Sequence, residues 1–502
     1  MAQGTTGGWA FEHAAGFQAG EISGNLQLDA YEEIYQKLFA EVLEDGVITA
    51  EERARLEKAA ASLGLDRGRL EQLEKALTGG YEALYGRRVV RADVADAAPA
   101  PAAAAAPTGG ATVEAEALRR KVVALEAQIA ALETELEHAR AQRDVEVDLT
   151  LLDTEERPAE VDEPETLHRR LRHDPRDVST LRSLYRAHQQ RGELDGQWRA
   201  AQALVYLGQA DEQAHRTFAE HRVEGLIQPN HSLTTTAWQR YLFHQDDEVL
   251  TGQIFATIAS AVLLGRVAAL RRHGSLPQLD PRQLENPATS TVQAVRCFAW
   301  GASLLGMGAP PLYVDPSLQA LVQMVPGVPP ASRIGRLALS GRKPAELAFV
   351  AGRYLAGFRE ERFLRQLFPD VLELQDLFVA GLIIANPALP IDAETKARVE
   401  PVARAIEPLL QPQQIQHLRT LFARFVQEGG RTNLQRWVRA TDCTALRAGL
   451  LLCNDLGVAD SILRLEGDGQ LETKMNDLLE FCTSQRYGLL RSELGIAVGA
   501  SA

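Results

Sequence analysis

Apolar residues near the start of the chain recur at the spacing of a helix. Tyr31, Ile34, Tyr35, Leu38, Phe39 and Val42 line up at steps of three and four, which puts them on one face. The turn EDGVITAEE follows, with Gly46 free to take a positive φ. A second helix carries Leu56, Ala60 and Leu63 and stops at Gly64, a C′ residue by position. Asp66 caps a third, bearing Leu70, Leu73 and Leu77. The pattern predicts a small helical module over 28–90, behind a Gly- and Thr-rich N-terminus (1–27) expected to be mobile.

The periodicity then lapses. ADVADAAPAPAAAAAPTGGA has almost nothing large to bury and reads as a linker over 91–113. A heptad takes over at 114–144. Val122, Ile129 and Leu136 occupy a, and Leu118, Leu125 and Leu132 occupy d, with Ala139 at the next d. β-Branched a positions favour a parallel dimer, and Lys121–Glu126 and Glu135–Arg140 would form attractive pairs across it. The same stripe would also suit one amphipathic helix lying on its own chain. An acidic stretch, 145–165, separates the heptad from the C-terminal two thirds of the chain and reads as solvated spacer.

From 166 the helical spacing returns and stays. Leu181, Leu184 and Tyr185 mark one helix, Gly192 a turn, and Trp198, Ala201, Leu204 and Leu207 the next. This pair, entered through Asp174–Pro175, resembles a tetratricopeptide repeat, with Gln197 where that family prefers Ala. The resemblance covers 166–228 and implies a helical binding surface, for which Tyr185, Trp198 and Tyr206 are the candidate partner contacts. A larger helix-rich domain occupies 229–498. Its segments PPLYVD, LQALVQMV and SRIGRLAL predict short strands near 311–340. The layout after 165 resembles that of uncharacterised myxobacterial helical proteins with tetratricopeptide-like repeats.

Composition narrows the function classes. Hydrophobic residues make up 45% of the 502 positions, ordinary for a globular chain. A formal net charge of −14 argues against a nucleic-acid binder, which needs a basic surface. The excess of Arg over Lys reads as a GC-rich bacterial genome. The four cysteines, Cys297, Cys443, Cys453 and Cys482, form no CxxC pair and are expected to be buried, reduced thiols. No basic segment followed by an apolar core opens the chain. The apolar runs at 254–265 and 377–389 are shorter than the ~20 residues of a membrane span. A cytoplasmic location without membrane attachment is the expectation.

Two segments look like chemistry. In ELAFVAGRYLAGF (346–358), Gly352-Arg-Tyr-Leu-Ala-Gly357 resembles a zincin metallopeptidase helix stripped of its metal ligands. Arg353 stays protonated, Gly357 has no side chain, and Tyr354 does not replace the general base. No two of the 11 histidines stand at i, i+4. Ala348, Gly352 and Ala356 instead make a small-residue stripe that another element can approach closely. The turn at 41–52 overlays an EF-hand loop, with Asp45 and Glu52 as the metal candidates, but Leu43 stands where an oxygen ligand belongs. Thr49-Ala-Glu-Glu52 is also a capping box, which accounts for Glu52 without calcium. The turn is similar to those of TerB-like helical domains, a resemblance that implies an interaction module. No P-loop, GxGxxG, GxSxG or kinase signature is present.

The expected protein is mainly α: a small helical module, a coiled coil, and a large helical C-terminal domain with a small β patch. The function expected is that of a non-enzymatic scaffold or adaptor without cofactor, binding protein partners and forming a homodimer through its heptad. The alternative is an inactive zincin descendant with a regulatory or ligand-binding role.

Overall fold

A computed structural model describes residues 30–43, 47–85, 89–91, 163–467 and 469–499. The heptad residues Leu118, Val122, Leu125, Ile129, Leu132 and Leu136 lie outside this set, as do Asp45 and most of the two linkers.

The first helix, α1 (Ala30–Val42), buries Ile34, Tyr35, Phe39 and Val42, the face its spacing predicts. Helix α2 (Ala50–Leu63) opens on the Thr49–Glu52 capping box and ends at Gly64, whose φ of 68° lies in the left-handed region glycine favours. The Asp66 carboxylate accepts from the Arg69 N–H at 3.0 Å and starts α3 (Arg67–Tyr85). Two short strands, β1 (Val47–Ile48) and β2 (Val90–Arg91), pair in parallel beside these helices.

After 163 the chain runs through α4 (Pro164–His173), α5 (Val178–Arg191), α6 (Leu194–Tyr206) and α7 (Glu212–His221), each packed on the next. A π-turn, Trp238–Leu242, leads to the long helix α8 (Val249–Arg272). Then come β3 (Leu284–Glu285), α9 (Gln293–Leu304), β4 (Leu312–Asp315), β5 (Val322–Val325) and β6 (Ala331–Gly335). The strands form one mixed sheet in the order β3-β4-β6-β5, with only β4 and β6 parallel. Helices complete the fold: α10 (Pro344–Ala356), α11 (Glu360–Leu367), α12 (Val371–Ala385), α13 (Ala393–Ile406), α14 (Pro412–Gln427), α15 (Leu434–Cys453), α16 (Leu456–Glu466), α17 (Leu471–Thr483) and α18 (Gln485–Glu493). The chain is thus mainly α with a small β patch where the strand-like sequence lies.

Two apolar clusters hold these elements. The first joins α4–α7, α9, α10 and α16–α18 with the C-terminal half of α15. The second surrounds α8 and takes in α11–α14 and the start of α15, through Leu434, Trp437 and Val438. Helices α1–α3 belong to this second cluster. Arg271 stacks 4.8 Å over the Tyr31 ring, Gln411 donates to the Glu41 carboxylate at 2.9 Å, and Arg55 bonds the Leu410 carbonyl. They therefore do not stand apart from the residues after 163; both lie in one compact unit. Among the described residues α8 is the one helix long and apolar enough to cross a bilayer, and 61% of its most apolar stretch is buried inside this fold. It is longer than the apolar run at 254–265 because its polar flanks are helical too.

Candidate functional site

The zincin-like stretch forms α10, and its side chains are engaged in packing. A β-carbon on Gly352 would lie 2.6 Å from the Ala448 carbonyl oxygen, so α10 and α15 meet backbone to backbone. Gly449 answers from α15, where a β-carbon would lie 2.9 Å from the Phe349 ring. Arg353 grips both oxygens of Glu466, with Nη1 2.6 Å from Oε2, and the Tyr354 hydroxyl donates to Ser332 Oγ at 3.1 Å. The metal candidate Glu52 accepts from the Thr49 N–H at 2.9 Å, completing the cap.

The aromatic candidates for partner contact need correcting. Trp198 is fully buried, with its indole N–H donating to the Phe218 carbonyl at 3.3 Å. Tyr185 is 4% exposed and shares a 3.0 Å hydrogen bond with Thr217. Tyr206 is half-buried and donates to Asp460 at 3.2 Å. The first two are core. Aromatics at helical spacing face whichever neighbour covers them, and here α7 and α18 do so.

A cavity lies elsewhere, where α4 meets the corner between α17 and α18. It has a volume of about 290 Å³. Helix α4 starts at Pro164 and buries Leu167 and Leu171, leaving His168, Arg169 and Arg172 toward the cavity. The corner is fixed by Ser484, whose Oγ accepts from the Tyr487 N–H at 3.2 Å and donates to the Phe481 carbonyl at 2.7 Å. Arg199, buried on α6, clamps the same corner by donating to the carbonyls of Cys482 (3.1 Å) and Ser484 (2.8 Å). Asp195 holds Arg199 at 2.9 Å and Arg491 at 2.9 Å, and Arg491 in turn stacks 4.7 Å from the Trp198 ring. Through Arg491, Asp195 and Arg199, Trp198 thus supports the corner between α17 and α18.

Beneath the cavity, His244, Cys443 and Asp477 bring ligand-type atoms within 4.8 Å of one another. Two of the three, His244 and Asp477, are engaged by neighbouring groups. His244 Nδ1 accepts from the Asp246 N–H at 3.1 Å, and Nε2 lies 3.4 Å from Asp477 Oδ1. Arg447 covers both Asp477 oxygens, at 2.6 and 3.1 Å, and stacks 4.8 Å over Phe481. Burial alone would raise the Asp477 carboxyl, but the Arg447 charge holds it down at about 2. Burial, helped by the Asp477 charge, pushes the Cys443 thiol up to about 12, far from thiolate chemistry. On the cavity wall, burial and the nearby Arg199 charge lower His168 to about 4. The four cysteines are free; Cys297, Cys453 and Cys482 are buried, whereas Cys443, expected to be buried too, is only half-buried.

Sequence reasoning missed this cavity, since its residues come from α4, α15, α17 and α18 and share no local pattern. The signal nearest to one was the i, i+3 pair Arg169 and Arg172 directly after the acidic stretch. Family models, curated proteins and solved structures offer no match to the chain.

Proposed function

We propose that the chain is a non-enzymatic adaptor that binds protein partners and self-associates through the heptad of residues 114–144. The observation that carries the non-enzymatic part is the state of the titratable groups around the cavity. Proton transfer at neutral pH works best with a group whose pKa lies near 7. His168 at about 4 on the cavity wall, and Asp477 at about 2 and Cys443 at about 12 behind it, are displaced from it, while burial raises the lining Glu480 carboxyl and the Arg447 charge opposes that rise. At neutral pH Asp477 is a fixed charge and His168 and Cys443 are neutral, a state that suits recognition. The packing roles of Gly352, Arg353 and Tyr354 support the same reading, since they explain the zincin-like stretch without a metal.

Self-association rests on the heptad itself, whose a and d positions leave an apolar stripe to be covered. Light scattering on the full chain and on one lacking residues 114–144 tests it. The full chain is expected to have twice the monomer mass and the deletion variant the monomer mass. A monomer in both would end the dimer reading. Stoichiometric zinc in the purified protein, measured by plasma spectrometry, together with a peptidase activity lost on chelation, would overturn the non-enzymatic one.

A further inference from the structure

We propose that the cavity between α4 and the α17–α18 corner binds a phosphoryl dianion, the head group of a phosphate monoester. The inference stands independently of the adaptor reading, because it concerns what the cavity holds and not what the chain assembles with.

Arg486 makes the first argument. Its guanidinium is half-buried on the cavity wall, yet its hydrogen bonds go only to main-chain carbonyls, Arg240 (3.2 and 3.0 Å) and Phe243 (2.9 Å). No carboxylate pairs with it among the described residues. A guanidinium stays charged under these conditions, so a partly desolvated positive charge on the cavity wall has no salt-bridge partner, and only the charge of Glu480, which also lines the cavity, favours it. Burial and the adjacent Arg447 charge both disfavour it, as its lowered pKa records.

The second argument comes from α4. Arg169 and Arg172 line the same cavity one helical turn apart, and neither makes an ion pair among the described residues. The third comes from the backbone. Ser484 satisfies the Tyr487 N–H, leaving the first-turn N–H groups of Gln485 and Arg486, two lining residues, without an intrahelical acceptor. This basic site lies within a chain of net charge −14.

Residues of α4 and of α18 thus offer donors from separate elements around one cavity. A tetrahedral group with three terminal oxygens can meet all of them, whereas a planar carboxylate offers two oxygens in one plane. A volume of about 290 Å³ admits a phosphate and a small substituent, being some ten times the ~30 Å³ that one water occupies in the liquid. Two carboxylates also line the cavity. Glu480 is held by Arg447 at 3.5 Å, while Glu165 sits exposed at the mouth, where it opposes an anion.

The test is calorimetric titration of the full chain at pH 7.5 and constant ionic strength. The probes are inorganic phosphate, glycerol 3-phosphate, a phosphoserine peptide and succinate. Saturable binding of the phosphoryl probes, about tenfold or more tighter than succinate, is expected. The double variant Arg169→Glu/Arg172→Glu changes two exposed side chains that form no ion pair among the described residues. It should fold as the parent does while losing about tenfold or more in affinity. Glu165→Gln should bind severalfold tighter. Whichever of the monoester and the phosphopeptide binds better identifies where the phosphoryl group comes from. Equal binding of succinate, or undiminished binding by the double variant with an unchanged circular dichroism spectrum, would overturn the proposal.

Discussion

A β-carbon at Gly352 would lie 2.6 Å from the Ala448 carbonyl oxygen and 3.0 Å from the Gly449 Cα. Both obstacles are backbone, so neither can swing aside; the whole of α15 would have to shift. Gly352→Ala is expected to lower stability by about 1–3 kcal/mol, the usual cost of overpacking, despite alanine's better helix propensity. Arg353→Ala sits one residue away but removes only a partly exposed ion pair with Glu466. It should cost about 1 kcal/mol or less. Urea midpoints of the two variants check the ranking. An alanine at 352 that costs less than the one at 353 would mean that close helix approach is not what the small-residue stripe secures.

Helix α4 carries a group whose titration couples folding to pH. His168 on α4 and His188 on α5 have rings 6.1 Å apart, and His168 Nδ1 and His188 Nε2 have no hydrogen-bond partner. Glu193 takes His188 Nδ1 at 2.6 Å, while the charges of Arg199, Arg172 and Arg191 oppose a proton on either ring. Burial is the largest cause holding both below the usual histidine value, His168 at about 4. The unfolded chain therefore takes up protons first on acidification. The contribution is fully present above about pH 6.5 and is lost as pH falls toward 4, a change of about 3 kcal/mol for His168. Urea midpoints at pH 7 and pH 5 should differ in the parent and differ less in His168→Gln; equal pH sensitivity would rule out this assignment. The same elements show what a sequence can disclose. The faces of α1–α3, the Thr49–Glu52 cap, the stop at Gly64 and the strands within 312–335 follow from spacing and turn chemistry, which act over a few residues. The cavity does not, because Arg172 and Arg486 meet only once α4 has docked on α17. Trp198 misled for a related reason: periodicity gives the apolar face of α6 but not that α7 and α18 would cover it.

At the scale of the whole molecule, the question is whether the first helices are a tethered module or part of the body. Sequence composition favours a tether, whose ~20 residues would span about 25 Å as a flexible coil. The packing favours the body. Leu56, Ala59 and Leu63 of α2 join the cluster around α8, and α2 also contacts α13. The residues up to Asp93 and those from Asp162 onward belong to the same compact unit. Calorimetry of the full chain should then show α1–α3 melting with α8–α14 in one cooperative transition. A chain shortened to residues 163–502 would expose the apolar faces of α8 and α13 that α2 covers. It should melt on the order of 10 °C lower or aggregate, since burying a few large side chains contributes several kcal/mol. An unchanged midpoint would instead show that α1–α3 fold on their own and detach. The linker would then give them reach, and an adaptor could search for partners with its N-terminal helices; with a shared core, it must recognise them on the surface of the assembled body.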